Sequence, residues 1–87
     1  MSVMTAENFI PHTGKIFQGA GAPVALALVK VERHPCGFVL LFQGPARPVL
    51  REGTYEFAIE DGGAASFHIM PVHTPIPGHQ DYQAIFN

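Results

Sequence analysis

Apolar residues recur at every second position through four stretches of the chain: Phe38, Leu40 and Phe42; Tyr55, Phe57 and Ile59; Phe67 and Ile69; Tyr82, Ala84 and Phe86. Period-two spacing sends each set to one side of a β-strand, because successive Cβ atoms point to opposite faces of the pleat. Between Thr54 and Glu60 the alternation is clean, with Glu56, Ala58 and Glu60 on the opposite side. Gly- and Pro-rich segments punctuate the stretches: His34-Pro35-Cys36-Gly37, the loop from Gly44 to Gly53, Asp61-Gly62-Gly63, and a loop holding Pro71, Pro75, Pro77 and Gly78. In the Asp61-Gly62-Gly63 segment glycine supplies the positive φ that a tight hairpin needs. With Val24 to Arg33 as a long strand, Ala64 to Met70 after the hairpin and Asp81 to Asn87 last, the pattern predicts an all-β fold. The expected architecture is a small six-stranded antiparallel barrel or sandwich with a short N-terminal helical turn, in a single β domain over residues 1–87.

Two neighbouring stretches break the alternation. Val24 to Val29 and Phe38 to Phe42 are apolar on both faces, and polar residues reappear in the first strand only at Lys30 and Glu32. If Phe38, Leu40 and Phe42 line the core, Val39 and Leu41 must point outward, beside Ala25, Ala27 or Val29. That set of five is the candidate interface, since soluble monomers seldom expose contiguous apolar patches. The rival cover is the N-terminal segment. Thr5 to Asn8 opens a helical turn, stopped by Pro11 and Gly14, and Phe9 and Phe17 on either side would tuck residues 1–17 as a lid against a barrel end.

At 87 residues the chain has room for one core, and its expected stability is only about 4 to 13 kcal/mol. All seven Phe and both Tyr are therefore needed inside before they can serve any chemistry. Five Lys and Arg against seven acids leave a net charge of −2, which argues against nucleic acid or an anionic membrane surface as partner. No apolar run approaches the length of a membrane-spanning helix, and Met1 to Ile10 lacks the basic start and apolar stretch of a secretory signal. A cytoplasmic location, or export without a cleaved signal peptide, is expected. The single cysteine, Cys36, has no intrachain partner for a disulfide.

Candidate chemistry is thin. Imidazoles of His68, His73 and His79 could converge on a metal from a strand end and its following loop, although their spacing matches no zinc motif. Ordinary surface histidines are the simpler reading. His34 and Cys36 place a thiol near an imidazole, but Pro35 between them sets a turn, and no orienting third group is recognisable. Gly19-Ala20-Gly21-Ala22 lacks the Lys-Ser/Thr ending of a phosphate loop. Arg47 and Arg51, in the loop from Gly44 to Gly53, are the candidate partner loop. No catalytic residue, metal or cofactor is expected.

Four blocks taken together resemble a known family: Phe38-Val39-Leu40-Leu41-Phe42-Gln43-Gly44-Pro45, Leu50-Arg51-Glu52-Gly53-Thr54-Tyr55, Phe67-His68-Ile69-Met70-Pro71-Val72 and Tyr82-Gln83-Ala84-Ile85-Phe86-Asn87. The resemblance is to an uncharacterised family of small bacterial all-β proteins known only as a domain of unknown function. It covers residues 38–87 and, more weakly, Phe9, His12, Gly14 and Phe17. It assigns no functional residue, because it rests on core apolar positions, turn glycines and prolines. It implies an association with phage-tail-like fibre or collar proteins. The expected role is a non-enzymatic structural or protein-interaction module that binds itself or another protein of an assembly. The alternative is a small barrel that binds a ligand or metal through the His68 to His79 region.

Overall fold

The structure is a computed structural model that describes residues 5–21, 24–74 and 77–87, so expectations placed on residues 1–4, Ala22, Pro23 and Pro75 lie outside it. Six strands are present: β1 (Ile16–Gly19), β2 (Ala25–His34), β3 (Gly37–Pro45), β4 (Gly53–Ile59), β5 (Ala64–Val72) and β6 (His79–Phe86). They close into an antiparallel barrel in the order β1-β2-β3-β6-β5-β4, with β4 bonded back to β1. Closure pairs the strand edges that an open sheet would leave to aggregate.

The alternating residues line the inside as their phase requires. Phe38, Leu40 and Phe42 of β3 meet Phe57 and Ile59 of β4, Phe67 and Ile69 of β5, and Tyr82 and Ala84 of β6, all buried. Phe57 stacks on Phe67 with ring centroids 4.8 Å apart, and Phe42 on Phe67 at 5.8 Å. Tyr55 and Phe86 stand at the rims, partly buried against this cluster. Gly44 continues the inward phase of β3, and a Cβ there would lie 2.7 Å from Leu26 Cδ2, so its lack of a side chain makes room for Leu26.

Phe17 corrects the reading of residues 1–17 as a lid. It belongs to a strand, β1, and is fully buried, with Phe42, Phe57 and Phe67 around it at 5.2 to 6.3 Å. β1 bridges β2 and β4, pairing Phe17 with Leu26 on one side and with Ile59 on the other. Its four residues are too few to display alternation, and its second inward position is Gly19, which carries no apolar signal. Pro71 differs as well: β5 runs through it to Val72, paired with Tyr82 and Asp81 of β6. The β4 ladder has ended by then, at Gly53 opposite Ile69. With a neighbour on one side only, the strand tolerates a residue without an N–H. β6 begins at His79 rather than Asp81, because Pro45 and Gly44 extend β3 far enough to pair with it.

The barrel ends are stoppered differently. Helix α1 (Ala6–Phe9) and the 3-10 turn Ile10–His12 lie across one end. Asn8 Oδ1 accepts the Thr5 N–H at 2.8 Å, the reciprocal half of a capping box. Phe9 is buried among Phe38, Phe67 and Phe86 at 5.6 to 5.9 Å. Glu7 pairs with Arg33 of β2, and His12 Nδ1 lies 2.8 Å from Asp61 Oδ2 in the β4–β5 turn. At the other end Leu50 is buried, and its N–H donates to the Tyr82 hydroxyl at 2.9 Å. That bond fixes the middle of the loop joining β3 to β4.

Candidate interaction face

The outer surface of β2, β3 and β6 is shaped by a β-bulge. Leu28 stands opposite Phe42, but Lys30 stands opposite Leu41 and Val31 opposite Leu40, so Val29 is the extra residue in β2. Strict alternation from the buried Leu26 and Leu28 would carry Lys30 and Glu32 into the core. Burying those charges would cost several kcal/mol each. One inserted residue resets the phase: Val31 packs against the core, while Lys30 and Glu32 turn outward and pair at 3.1 Å.

The register then assembles a continuous face. Glu32, Val39 and Ile85 form one row across the three strands, and Lys30, Leu41 and Gln83 form the next, extended by Met70 of β5. Val29 is 54 % exposed and Ile85 50 %, with Val39 and Leu41 partly buried between them. Ala25 and Ala27 lie toward the far end of the same side, also partly buried. All five residues expected at an interface therefore share one face. Sequence reasoning missed Ile85. Its signal was present, since it is an isoleucine out of phase between the inward Ala84 and Phe86. Helix α1 does not cover this face; it sits at the barrel end, around Phe38, Phe67 and Phe86. Toward the start of β6, Val29, Leu41, Gln43, Val72, His79 and Asp81 line a groove of about 270 Å³.

Residues 4–86 match the family model described as a domain of unknown function, DUF6916. The chain belongs to the DUF6916 family. No curated protein and no solved structure matches it. The match takes in α1 and β1, where Phe9, His12, Gly14 and Phe17 carry the weaker part of the resemblance, as well as the later strands.

The remaining candidate residues of this DUF6916 domain are dispersed. Arg47 and Arg51 are exposed on either side of the buried Leu50, in the loop at the barrel end away from α1. The Arg51 carbonyl accepts the Tyr55 hydroxyl at 2.7 Å. His68, on the outer side of β5, lies 3.0 Å from Glu52 Oε2, and His79 lies 3.3 Å from Asp81 Oδ1. His73 is exposed in the loop between β5 and β6. Among the described residues no three His, Cys, Asp or Glu side chains gather as a metal-holding group. His34 and Cys36 are both exposed at the β2–β3 turn. Gly37 closes that turn against the C-terminal strand: a Cβ there would run into the Phe86 carbonyl oxygen. Among the described residues no helix is long and apolar enough to cross a membrane.

Proposed function

We propose that the protein is a non-enzymatic interaction module that works through the outer face of β2, β3 and β6, self-associating or docking onto another protein of an assembly. The observation that carries this reading is the exposure of Val29 and Ile85 beside Val39 and Leu41, on a barrel whose interior is already filled. Apolar area left in water costs roughly 25 cal/mol per Å², and a second protein surface is the ordinary way to remove it. An accessory part of a bacterial phage-tail-like or fibre assembly, the setting implied by the family resemblance, would use a rigid barrel of this kind. Light scattering on the wild type and on Leu41→Glu tests the reading. An oligomer that Leu41→Glu dissociates while its circular dichroism stays intact is the expected result. A wild type that stays monomeric at several hundred micromolar, a concentration at which about 5 kcal/mol of association would show, overturns self-association.

A further inference from the structure

We infer that the occupant of this face is a second copy of the chain, related by a two-fold axis that runs across the strands over the Val31–Leu40–Ala84 row. The inference rests on the proposed interaction role and specifies its geometry. Those three residues are in register on neighbouring strands, and all three point inward. On the outer side they are flanked by the Lys30–Leu41–Gln83 row and the Glu32–Val39–Ile85 row.

Charge chooses the partner. The two flanking rows carry one cation, Lys30, and one anion, Glu32, on the same strand. A strongly charged partner gains nothing from so balanced a surface. A copy of the surface does, because a two-fold contact is reciprocal: whatever residue i meets as j, residue j meets as i.

Charge also chooses the axis. Two sheets packed face to face sit about 10 Å apart with their strands roughly aligned. An axis across the strands lays β2 antiparallel on β2, which brings Lys30 of each copy to Glu32 of the other and Leu41 to Val39. An axis along the strands over β3 would instead lay β2 on β6, setting Lys30 over Gln83 and the Glu32 carboxylate over Ile85. That second arrangement dehydrates a charge with no partner. Three strands about 4.8 Å apart, each contributing about seven residues of 3.3 Å, present roughly 330 Å² in projection. An interface of this size belongs to the weak class, so dimerisation is expected in the micromolar range.

The test uses full-length protein carrying Lys30→Glu or Glu32→Lys, both outward-facing positions that leave the core untouched. Each single variant places like charges opposite each other at both ends of the contact, and sedimentation between about 10 and 500 µM should show dimerisation weakened at least tenfold. An equimolar mixture of the two variants should recover the wild-type dimer, since the carboxylate that Lys30→Glu supplies on one copy then faces the ammonium that Glu32→Lys supplies on the other. The double variant should dimerise by itself. Loss of the intrachain Lys30–Glu32 pair cannot produce recovery on mixing. Single variants that dimerise like the wild type, or a mixture that stays monomeric, overturn the inference. If Leu41→Glu still dissociates the oligomer in that event, the interaction face stands and only its geometry is wrong. A monomeric wild type overturns self-association and this inference with it, and leaves only docking onto a different protein.

Discussion

The two sides of the barrel share one interior and differ outside. Where β4 and β5 pair with each other the outward positions are Thr54, Glu56, Ala58, Ala64, Ser66 and His68, a surface of polar and small residues. On β3 and β6 the corresponding positions include Val39, Leu41 and Ile85, with the exposed Val29 of β2 on the same side. The inward residues of both sides are equally apolar and equally buried: Phe42 and Phe57 are each 1 % exposed. Folding needs only the inner set. The apolar outer set on one side is thus extra to the demands of folding, and it is there that a partner surface gains most.

The largest expected effect tests the sameness of the two interiors. Phe42→Ala and Phe57→Ala should each lower stability by about 3 to 5 kcal/mol in urea unfolding, because each removes a fully buried ring from the same stack. A loss below about 1 kcal/mol from one of them would show that its side of the barrel is not part of a single core.

Next come two glycines. At Gly44 the Cβ of alanine would press on Leu26 Cδ2 and come within 3.4 Å of Tyr82, so Gly44→Ala should cost about 1 to 3 kcal/mol as overpacking. At Gly53 it would meet Tyr55 Cε1 at 3.7 Å, an ordinary contact, and Gly53→Ala should change stability by less than about 0.5 kcal/mol. Equal losses at both sites, measured by thermal melts, would contradict the tight inner packing assigned to β3.

The outer faces should separate without a large stability change. Leu41→Glu should shift the oligomeric state, whereas Ser66→Lys, opposite Glu56 on the other side, should leave both oligomer and stability within about 0.5 kcal/mol of wild type. Dissociation by Ser66→Lys would move the interface to β4 and β5. The smallest effect expected is none. Zinc at millimolar excess should shift the melting temperature by under about 1 °C, since a ligand stabilises only by binding the native state. A rise of several degrees that His68→Ala or His79→Ala abolishes would favour the metal-binding alternative.

The hydrophobic pattern made particular strands legible and left others dark. β4 and the β4–β5 hairpin could be placed because Tyr55, Phe57 and Ile59 alternate with Glu56 and Glu60, and Asp61-Gly62-Gly63 can hardly form anything but a turn. β1 could not, because Ile16 to Gly19 offers a single apolar inward side chain. The bulge left a trace, since inward apolar positions fall at Leu26, Leu28 and then Val31, a step of three in a run of twos. The candidate interface was legible as five residues apolar on the wrong phase, but their gathering with Ile85 was not.

Strand phase and core membership follow from the sequence itself, because each depends on local alternation and on the cost of placing a charge in an apolar interior. Thus Phe38, Leu40 and Phe42 had to line a core, and Lys30 and Glu32 had to avoid one. Strand adjacency does not follow. Pairing β3 with β6 joins residues as distant in sequence as Val39 and Ile85, and β1 closes the wall by joining Phe17 to Ile59. Backbone hydrogen bonds are alike whichever strand supplies them, so only the packing of all six strands around one set of rings selects the order that brings Val29, Val39, Leu41 and Ile85 onto a single face.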